Sequence, residues 1–251
     1  MIIEEKENKI LATKAFDNQH KKYSDIPTDL PQPPFSLLLV GPKGSGKSNL
    51  ILNLVYKSKP KKLYRHFFDK VYIFSPTWKL DPKMAKTKVP DDQIFEDTDS
   101  YRQIIEEIIG IQSDKIEEEG KENTEHILMI FTDLAGQKNV FSQSKGIMNK
   151  LAFNLRHYKI SLIIDTQSLR QINQAFRNNL SGVILFSGIS NRLEIQKIYD
   201  EYLGEFNKQE QQQLIDYCFD KPFDFLYINY QKYKLDRFYH NFNKLTIRKE
   251  K

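Results

Sequence analysis

The sequence contains little cysteine and no long apolar run. Cys218 is the only cysteine among 251 residues, which excludes an internal disulfide and any cysteine cluster for zinc, and fits a reducing compartment. No stretch approaches the apolar length of a membrane-spanning helix, and the first residues lack the basic and apolar regions of a signal peptide. We therefore expect an intracellular soluble protein.

Neither sign of charge dominates the chain. It carries 38 basic and 33 acidic residues, with a formal net charge of +5 and a pI near 9.0. This moderate excess suits a polyanionic partner, but the distribution of the charges matters more than their sum. The length suits one α/β domain, with or without a small appendage, that buries a sizeable core.

Glycine is also scarce, yet three of the 10 glycines fall within one short segment. Residues 41–48 fit the phosphate-loop pattern G-x-x-x-x-G-K-[ST] at every fixed position. In such a loop the glycines let backbone N–H groups point at phosphate oxygens, the lysine reaches the β- and γ-phosphates, and the hydroxyl ligates Mg²⁺. Apolar residues before and after the loop indicate a strand and a helix. The sequence therefore predicts a nucleoside triphosphate site formed by Gly41, Pro42, Lys43, Gly44, Ser45, Gly46, Lys47, Ser48 and Asn49.

Strand-like apolar runs alternate with helix-like segments from residue 35 to residue 218. This alternation predicts an α/β fold with a mainly parallel sheet and helices on both faces. Residues 222–242 alternate aromatic and polar side chains and predict a C-terminal β-hairpin. We expect a loosely ordered N-terminal arm over 1–34 and one domain over 35–251 that ends in an aromatic-rich, basic segment at 221–251. The predicted strands are 35–40, 71–76, 127–133, 160–167 and 182–186, and the predicted helices include 101–119, 144–157, 191–203, 209–218 and one around 169–176.

Polar residues at two strand ends are candidates for the hydrolytic groups. Asp133 follows an apolar run and is the candidate ligand for Mg²⁺, the alternative being an acid that only caps the strand. Asp165 and Gln167 end another strand and face the same side of it. Gln167 is a candidate contact for the γ-phosphate or for water, or else a plain loop residue. Asp165 must be paired or near solvent, because an acid so close to an apolar strand is otherwise costly to bury.

Arginines follow two of the predicted helices. Arg177 is a candidate finger for the γ-phosphate of a neighbouring subunit, and a surface arginine or a fixed salt bridge is the alternative. Arg156 and His157 end another helix, where most histidines cap the helix or lie on the surface.

Asp133 also begins a D-x-x-G-Q pattern at 133–137 that is typical of small GTPases. However, the chain has no N-K-x-D motif for reading guanine. The separation between Gly41 and Asp133 is also long for a compact GTPase. A GTPase is therefore the less favoured interpretation.

Residues 35 to about 245 resemble the genome-packaging ATPases of large double-stranded DNA viruses, virophages and Polinton-type elements, within the FtsK–HerA superfamily. Beyond the phosphate loop, the resemblance lies in Gln167 and in the segments 68–77, 127–133, 154–161 and 176–179. It implies a RecA-like ATPase core that uses ATP and Mg²⁺, forms a homo-oligomeric ring and pushes double-stranded DNA into a preformed capsid. By matching position it implies that Lys47 and Ser48 bind phosphate and Mg²⁺, that Gln167 senses the γ-phosphate and that Arg177 is a finger.

One position departs from the family pattern. The acid-tipped strand of the family usually ends in two adjacent acids, one for Mg²⁺ and one as catalytic base, whereas this chain has Thr132 and Asp133. Either Asp133 is the base and Thr132 serves the metal, or Asp133 holds the metal and the base lies elsewhere, with Asp165 as a candidate. A nucleotide-binding scaffold with weak or lost hydrolysis is therefore an alternative function, as is a GTPase or phosphotransferase.

The expected partners follow from the resemblance and from the charge distribution. Residues 57–70 carry six basic residues against one acid, and residues 221–251 carry eight against three. Both segments are candidates for nonspecific contacts to DNA phosphates, or else ordinary solvated surface. A capsid or packaging-vertex protein is a further expected partner. The expected location is the host cell interior, in a cytoplasmic virus factory or the nucleus, with association with the virion.

Overall fold

A mixed β-sheet forms the centre of the fold. The computed structural model describes residues 23–57, 63–87, 89–133, 141 and 146–248. Its strands are β1 Ser36–Val40, β2 Lys70–Phe74, β3 Ile94–Phe95, β4 Ile127–Phe131, β5 Ile160–Thr166, β6 Gly182–Phe186, β7 Phe225–Asn229, β8 Phe238–His240 and β9 Asn243–Lys244. Its α-helices are α1 Lys47–Val55, α2 Tyr101–Glu119, α3 Ile147–Tyr158, α4 Gln174–Arg177, α5 Arg192–Tyr202 and α6 Lys208–Cys218. The nine described strands lie in the order β3-β2-β4-β5-β1-β6-β7-β8-β9.

The larger part of the sheet is parallel. β1 lies between β5 and β6 and is parallel to both, and β4, β2 and β3 continue the parallel order beyond β5. All residues of β1, β4, β5 and β6 are buried. Strands that are covered on both faces have no side exposed to solvent, and this explains why their sequences are continuous apolar runs. The predicted mainly parallel sheet is confirmed.

The C-terminal strands are antiparallel. β7 pairs antiparallel with β6, and β8 pairs antiparallel with β7, so the predicted hairpin extends the parallel sheet at the β6 side. A loop over 230–237 separates β7 from β8, and β9 adds a short outer strand.

Helices and loops cover the two faces of the sheet with separate apolar cores. Leu38 and Val40 of β1 point into the core that includes α2, α3, α5 and α6. Leu37 and Leu39, which alternate with them, point into the core that contains α1. The period-2 alternation of a strand thus supplies apolar groups to both faces and fixes the phosphate-loop strand between two packed layers.

Part of the predicted N-terminal arm belongs to the packed fold. Ile26 and Leu30 are each only 3% exposed and lie in the core on the α1 side. The backbone carbonyl of Asp29 accepts hydrogen bonds from Tyr227 at 3.2 Å and from Asn229 at 3.0 Å. The expectation of a loosely ordered arm is therefore wrong for residues 23–34, and residues 1–22 lie outside the described part of the chain.

The helix predicted around 169–176 is divided in two. Leu169–Gln171 forms a 3-10 turn that Ser168 caps, and α4 begins at Gln174, three residues after that turn ends. Asn173 caps α4 by accepting a hydrogen bond from the backbone N–H of Phe176 at 2.9 Å. The large apolar residues of this segment are buried, as their spacing predicts. However, the cap at Asn173 starts a new helix within the expected one.

Candidate nucleotide-binding site

The phosphate loop joins the carboxyl end of β1 to α1. A methyl group on Gly41 would lie 2.6 Å from Ser45 Oγ and 2.7 Å from Phe186 Cβ, so only glycine fits this close approach. Gly44 and Gly46 adopt φ angles of 81° and 100°, a region that other residues enter at a cost. These glycines therefore set the curvature of the loop, as the pattern predicts.

The start of α1 is prepared for an anion. Gly46 precedes the helix, and within the described residues no side chain caps it and no acid lies in its first turn. The first backbone N–H groups of a helix have no intrahelical acceptor and carry the positive end of its dipole. Ser45 Oγ is also buried without a hydrogen-bond partner among the described residues. These features together fit a phosphate group.

The side chain of Lys47 packs against the phosphate loop. Its Nζ donates hydrogen bonds to the carbonyl oxygens of Gly41 at 2.7 Å and Pro42 at 3.0 Å, and the residue is only 8% exposed. Burial lowers the pKa of Lys47, and the charges of Asp165 and Asp133 oppose that shift. The ammonium group therefore lies in the site with two acids close enough to act on it.

Asp165 is the buried acid of the site. It pairs in register with Leu39 of β1 and is 5% exposed. Its Oδ2 accepts a hydrogen bond from Thr132 Oγ1 at 3.0 Å, and its Oδ1 accepts one from the backbone N–H of Asp133 at 3.1 Å. Burial raises the pKa of Asp165 to about 6, and the Lys47 charge acts in the opposite direction. The hydroxyl of Thr132 thus connects the position of the missing family acid to a carboxylate on the neighbouring strand.

Asp133 occupies the exposed side of the same site. Its φ angle is 56°, and its Oδ2 accepts a hydrogen bond from Thr77 Oγ1 at 2.6 Å. Thr77 follows β2, so two adjacent strand ends fix this carboxylate. A positive φ in a non-glycine residue is more common for aspartate than for most residues and often marks a functional position.

One cavity brings the predicted groups together. It has a volume of about 650 Å³, and Gln167 contributes from the end of β5 as predicted. The phosphate loop from Lys43 to Asn49, both acids and Gln167 line it, together with Phe186, Phe223 and Phe225. Residues 134–137, which complete the GTPase-like pattern, lie outside the described residues.

The donor set of this cavity fits a magnesium ion. Ser48, Asp133 and Asp165 supply one hydroxyl and two carboxylates, and Mg²⁺ usually takes one or two carboxylates along with water and substrate phosphates. In the described part of the chain, no group of three or more His, Cys, Asp or Glu side chains could hold a metal on its own. A cation shared with phosphate would also neutralise the buried charge of Asp165.

Arg177 lies elsewhere, in a fixed salt bridge. Its guanidinium donates to both carboxylate oxygens of Glu201, at 2.8 Å and 2.7 Å, and to the carbonyl oxygens of Leu169, at 2.9 Å, and Ile172. The residue is 6% exposed and does not line the cavity. A finger needs a free guanidinium at a subunit boundary, so the structure does not support the finger role predicted for Arg177 and agrees with the alternative of a fixed salt bridge.

Sequence reasoning missed the two acids of α5 that fix the segment after Gln167. Glu194 is 7% exposed and accepts hydrogen bonds from Ser168 Oγ and from the backbone N–H of Leu169. Glu201 holds the same segment through Arg177. The only sequence signal was an acid in the first turn of a helix, which ordinarily indicates a favourable interaction with the helix dipole.

Arg156 and His157 also lie away from the nucleotide site. Both are exposed and line a second cavity of about 630 Å³ with Pro34 and Ser181. Since Pro34 and Ser181 precede β1 and β6, this cavity lies at the amino edge of the parallel strands, opposite the phosphate loop.

The fold and the site define a P-loop nucleoside triphosphatase with a RecA-like core. The phosphate loop follows β1, and the glutamine-tipped β5 lies between β1 and the acid-tipped β4. The family model of the poxvirus A32 protein matches residues 26–208, more than half of the chain. The chain therefore belongs to the poxvirus A32 family, and the predicted resemblance to viral genome-packaging ATPases is confirmed.

Solved structures share the fold. The DNA-packaging ATPase B204 from Sulfolobus turreted icosahedral virus superposes with a TM-score of 0.55 at 16% identity, covering 79% of this chain and 94% of B204. The packaging NTPase B204 from Sulfolobus turreted icosahedral virus 2, in complex with ATP-γS, gives 0.53 at 16% identity over 80% and 94% of the two chains. The pCW3 conjugation coupling protein TcpA gives 0.50 at 14% identity over 78% and 57%.

Two further comparisons are negative. No curated protein matches the chain at a significant level. Among the described residues, none of the helices has the length and apolar character that crossing a membrane requires.

Proposed function

We propose that the protein is an ATP-hydrolysing motor that translocates double-stranded DNA into a viral capsid. The observation that carries the proposal is the convergence of Lys47, Asp133, Asp165 and Gln167 on one cavity at the start of α1. Membership of the poxvirus A32 family supports a packaging role. The ATP-γS complex of a B204 packaging NTPase supports ATP as the nucleotide.

Each group of the cavity has a role in this proposal. The loop N–H groups and Lys47 bind the phosphates. Ser48 and Asp165 would hold Mg²⁺, which would supply neutralisation of phosphate charge. Asp133 orients and deprotonates the attacking water, and Gln167 contacts the γ-phosphate. In this assignment Asp165 replaces the acid that is absent at Thr132, and the hydrogen bond between Thr132 and Asp165 keeps that carboxylate in place.

The remaining partners follow from the packaging role. A motor that moves any sequence should contact phosphates and not bases, and the basic residues of 57–70 and 221–251 supply candidates. Some of these charges already have acidic partners, as in the pairs Arg237–Glu205 at 2.9 Å and Lys244–Asp236 at 2.7 Å. The proposal includes a homo-oligomeric ring, a capsid or packaging-vertex partner, and action inside the infected cell.

ATP turnover with and without duplex DNA tests the proposal. The wild-type chain should hydrolyse ATP faster with DNA, Lys47→Ala should lose turnover in both conditions, and Lys150→Ala, an exposed lysine on α3, is the matched control. Affinity for DNA should fall as salt rises, because phosphate contacts release counterions. If neither DNA nor the Lys47→Ala substitution changes ATP turnover, the proposed motor function is rejected. Nucleotide binding without turnover in an assembled ring would favour a scaffold.

A further inference from the structure

We propose that Phe223 is the platform on which the nucleobase of the bound nucleotide stacks. The proposal deepens the proposed function, since it assigns a residue to the base of the nucleotide whose phosphates the loop binds. It rests on the position of Phe223, on its exposure and on the way its turn is held.

Phe223 lies beside the start of α1. A methyl group on Gly46 would be 3.5 Å from Phe223 Cδ1 and 3.7 Å from Phe186 Cε1. Gly46 directly precedes the helix whose first N–H groups we assign to the phosphates, so the ring of Phe223 lies beside the phosphate site. The ring therefore lines the same cavity as the phosphate loop.

The three phenylalanines of the cavity differ in exposure. Phe186 is 2% exposed and Phe225 is 7% exposed, so both are core residues, whereas Phe223 is 65% exposed. Among the large apolar side chains that the structure describes as exposed, Phe223 is the one that lines the nucleotide cavity. An uncovered aromatic face next to a phosphate site is the surface on which a base gains stacking energy.

The turn that carries Phe223 is fixed from several sides. Asp224 accepts hydrogen bonds from Asn241 Nδ2 at 2.6 Å and from the backbone N–H of Lys221 at 3.2 Å, and it lies 3.4 Å from His240 Nε2. Ser187, which follows β6, donates from its N–H to the Asp224 carbonyl at 2.8 Å and from its Oγ to the Lys221 carbonyl at 3.0 Å.

This fixation maintains an unfavourable backbone conformation. Phe223 has a φ angle of 71°, which costs free energy for a bulky residue and persists only where the surroundings impose it. The hydrogen bond from Asn241 also holds the pKa of Asp224 below its usual value, so the anchor stays charged. The backbone that carries the ring is thus held in place, and this lowers the conformational entropy that is lost when a base stacks on the ring.

Stacking makes a specific prediction about ligands. Every base has a π-face, so Phe223 should strengthen binding of adenine and guanine nucleotides alike and contribute nothing to inorganic tripolyphosphate, which has no base. A base–aromatic stack of ordinary strength corresponds to a change of about tenfold in Kd.

The experiment compares ATP and inorganic tripolyphosphate as ligands of the full chain. Phe223→Ala and Phe223→Leu should each raise the Kd for ATP about tenfold and leave the Kd for tripolyphosphate unchanged. Phe223→Trp should keep wild-type affinity for ATP and report binding by fluorescence quenching with ATP but not with tripolyphosphate. Phe153→Ala is the matched control, because Phe153 is 58% exposed and lines the opposite cavity.

The outcomes separate this proposal from the proposed function. Equal loss of ATP and tripolyphosphate would make Phe223 a structural support of the loop and overturn the stacking role, as would unchanged ATP affinity in both Phe223→Ala and Phe223→Leu. Loss of subunit assembly with unchanged affinity for ATP would place the Phe223 side chain at a subunit interface and would also overturn the stacking role. If the wild-type protein binds ATP but DNA does not stimulate its turnover, the proposed motor function is rejected. The effect of the Phe223 variants on ATP binding can still be measured in that case. If Phe223→Ala does not fold, the leucine and tryptophan variants decide.

Discussion

The two edges of the parallel sheet carry cavities of similar volume, about 650 Å³ and 630 Å³, but they treat charge differently. At the carboxyl edge Lys47 and Asp165 are 8% and 5% exposed, and burial shifts the pKa of each. At the amino edge Arg156 and His157 are exposed. Burying charge costs free energy, so the fold accepts this penalty in the cavity at the carboxyl edge and not in the cavity at the amino edge. That difference marks the carboxyl edge as the chemical site.

The largest effect should follow removal of the buried acid of the site. Asp165→Asn keeps the shape of the side chain but removes the charge that we assign to Mg²⁺, and we expect ATP turnover to fall about 10²- to 10³-fold, the size of one lost electrostatic contact to a transition state. Steady-state ATPase assays over a range of Mg²⁺ concentrations would measure it. Turnover within threefold of wild type would remove Asp165 from the site.

Arg177 provides a buried charge whose partners are complete. Arg177→Ala leaves Glu201 and two backbone carbonyls without the guanidinium that they share, and breaking such a pair costs about 3–5 kcal/mol. We expect a fall in Tm of about 6–20 °C for a chain of this length, measured by thermal unfolding. A variant with wild-type Tm that lost only ring-dependent turnover would instead restore the finger role.

Asp165 should also make stability depend on pH in a particular direction. Its folded pKa of about 6 lies above its ordinary value of 3.8, so the folded state binds the proton more tightly than the unfolded state between these values. The charged form is therefore penalised fully above about pH 6 and not at all below about pH 4. Asp165→Asn should exceed wild type by about 2–3 kcal/mol in free energy of unfolding at pH 7.

Denaturant titrations at several pH values would check this sign. The advantage of Asp165→Asn should shrink as pH falls through 6. Asp99→Asn is the control, because that carboxylate is exposed and does not line the cavity. A stability difference that is constant between pH 4 and pH 8 would show that Asp165 is not the source of the penalty.

The sequence predicted those site residues that depend on a local pattern better than those that depend on contacts between distant elements. Glycine spacing fixes the phosphate loop, and apolar runs fix β1, β4 and β5, so Lys47, Asp133 and Gln167 could be placed at one sheet edge in advance. The pairing of Thr132 with Asp165 could not be placed, because it depends on the register between β4 and β5. For Arg177 the sequence could not decide between a finger and a fixed salt bridge, because its partner Glu201 lies on another helix and is brought to it only by the packing of α4 and α5.

The smallest effect should come from the amino edge. Arg156 is exposed and forms no ion pair among the described residues. Arg156→Ala should therefore change the free energy of unfolding by no more than about 0.5 kcal/mol, and basal ATP turnover should stay at the wild-type level. Thermal unfolding and ATPase assays on the same preparation measure both quantities. A large loss of stability would mean that the cavity at the amino edge also holds a charge at a cost in free energy, and the contrast between the two cavities would no longer identify the chemical site.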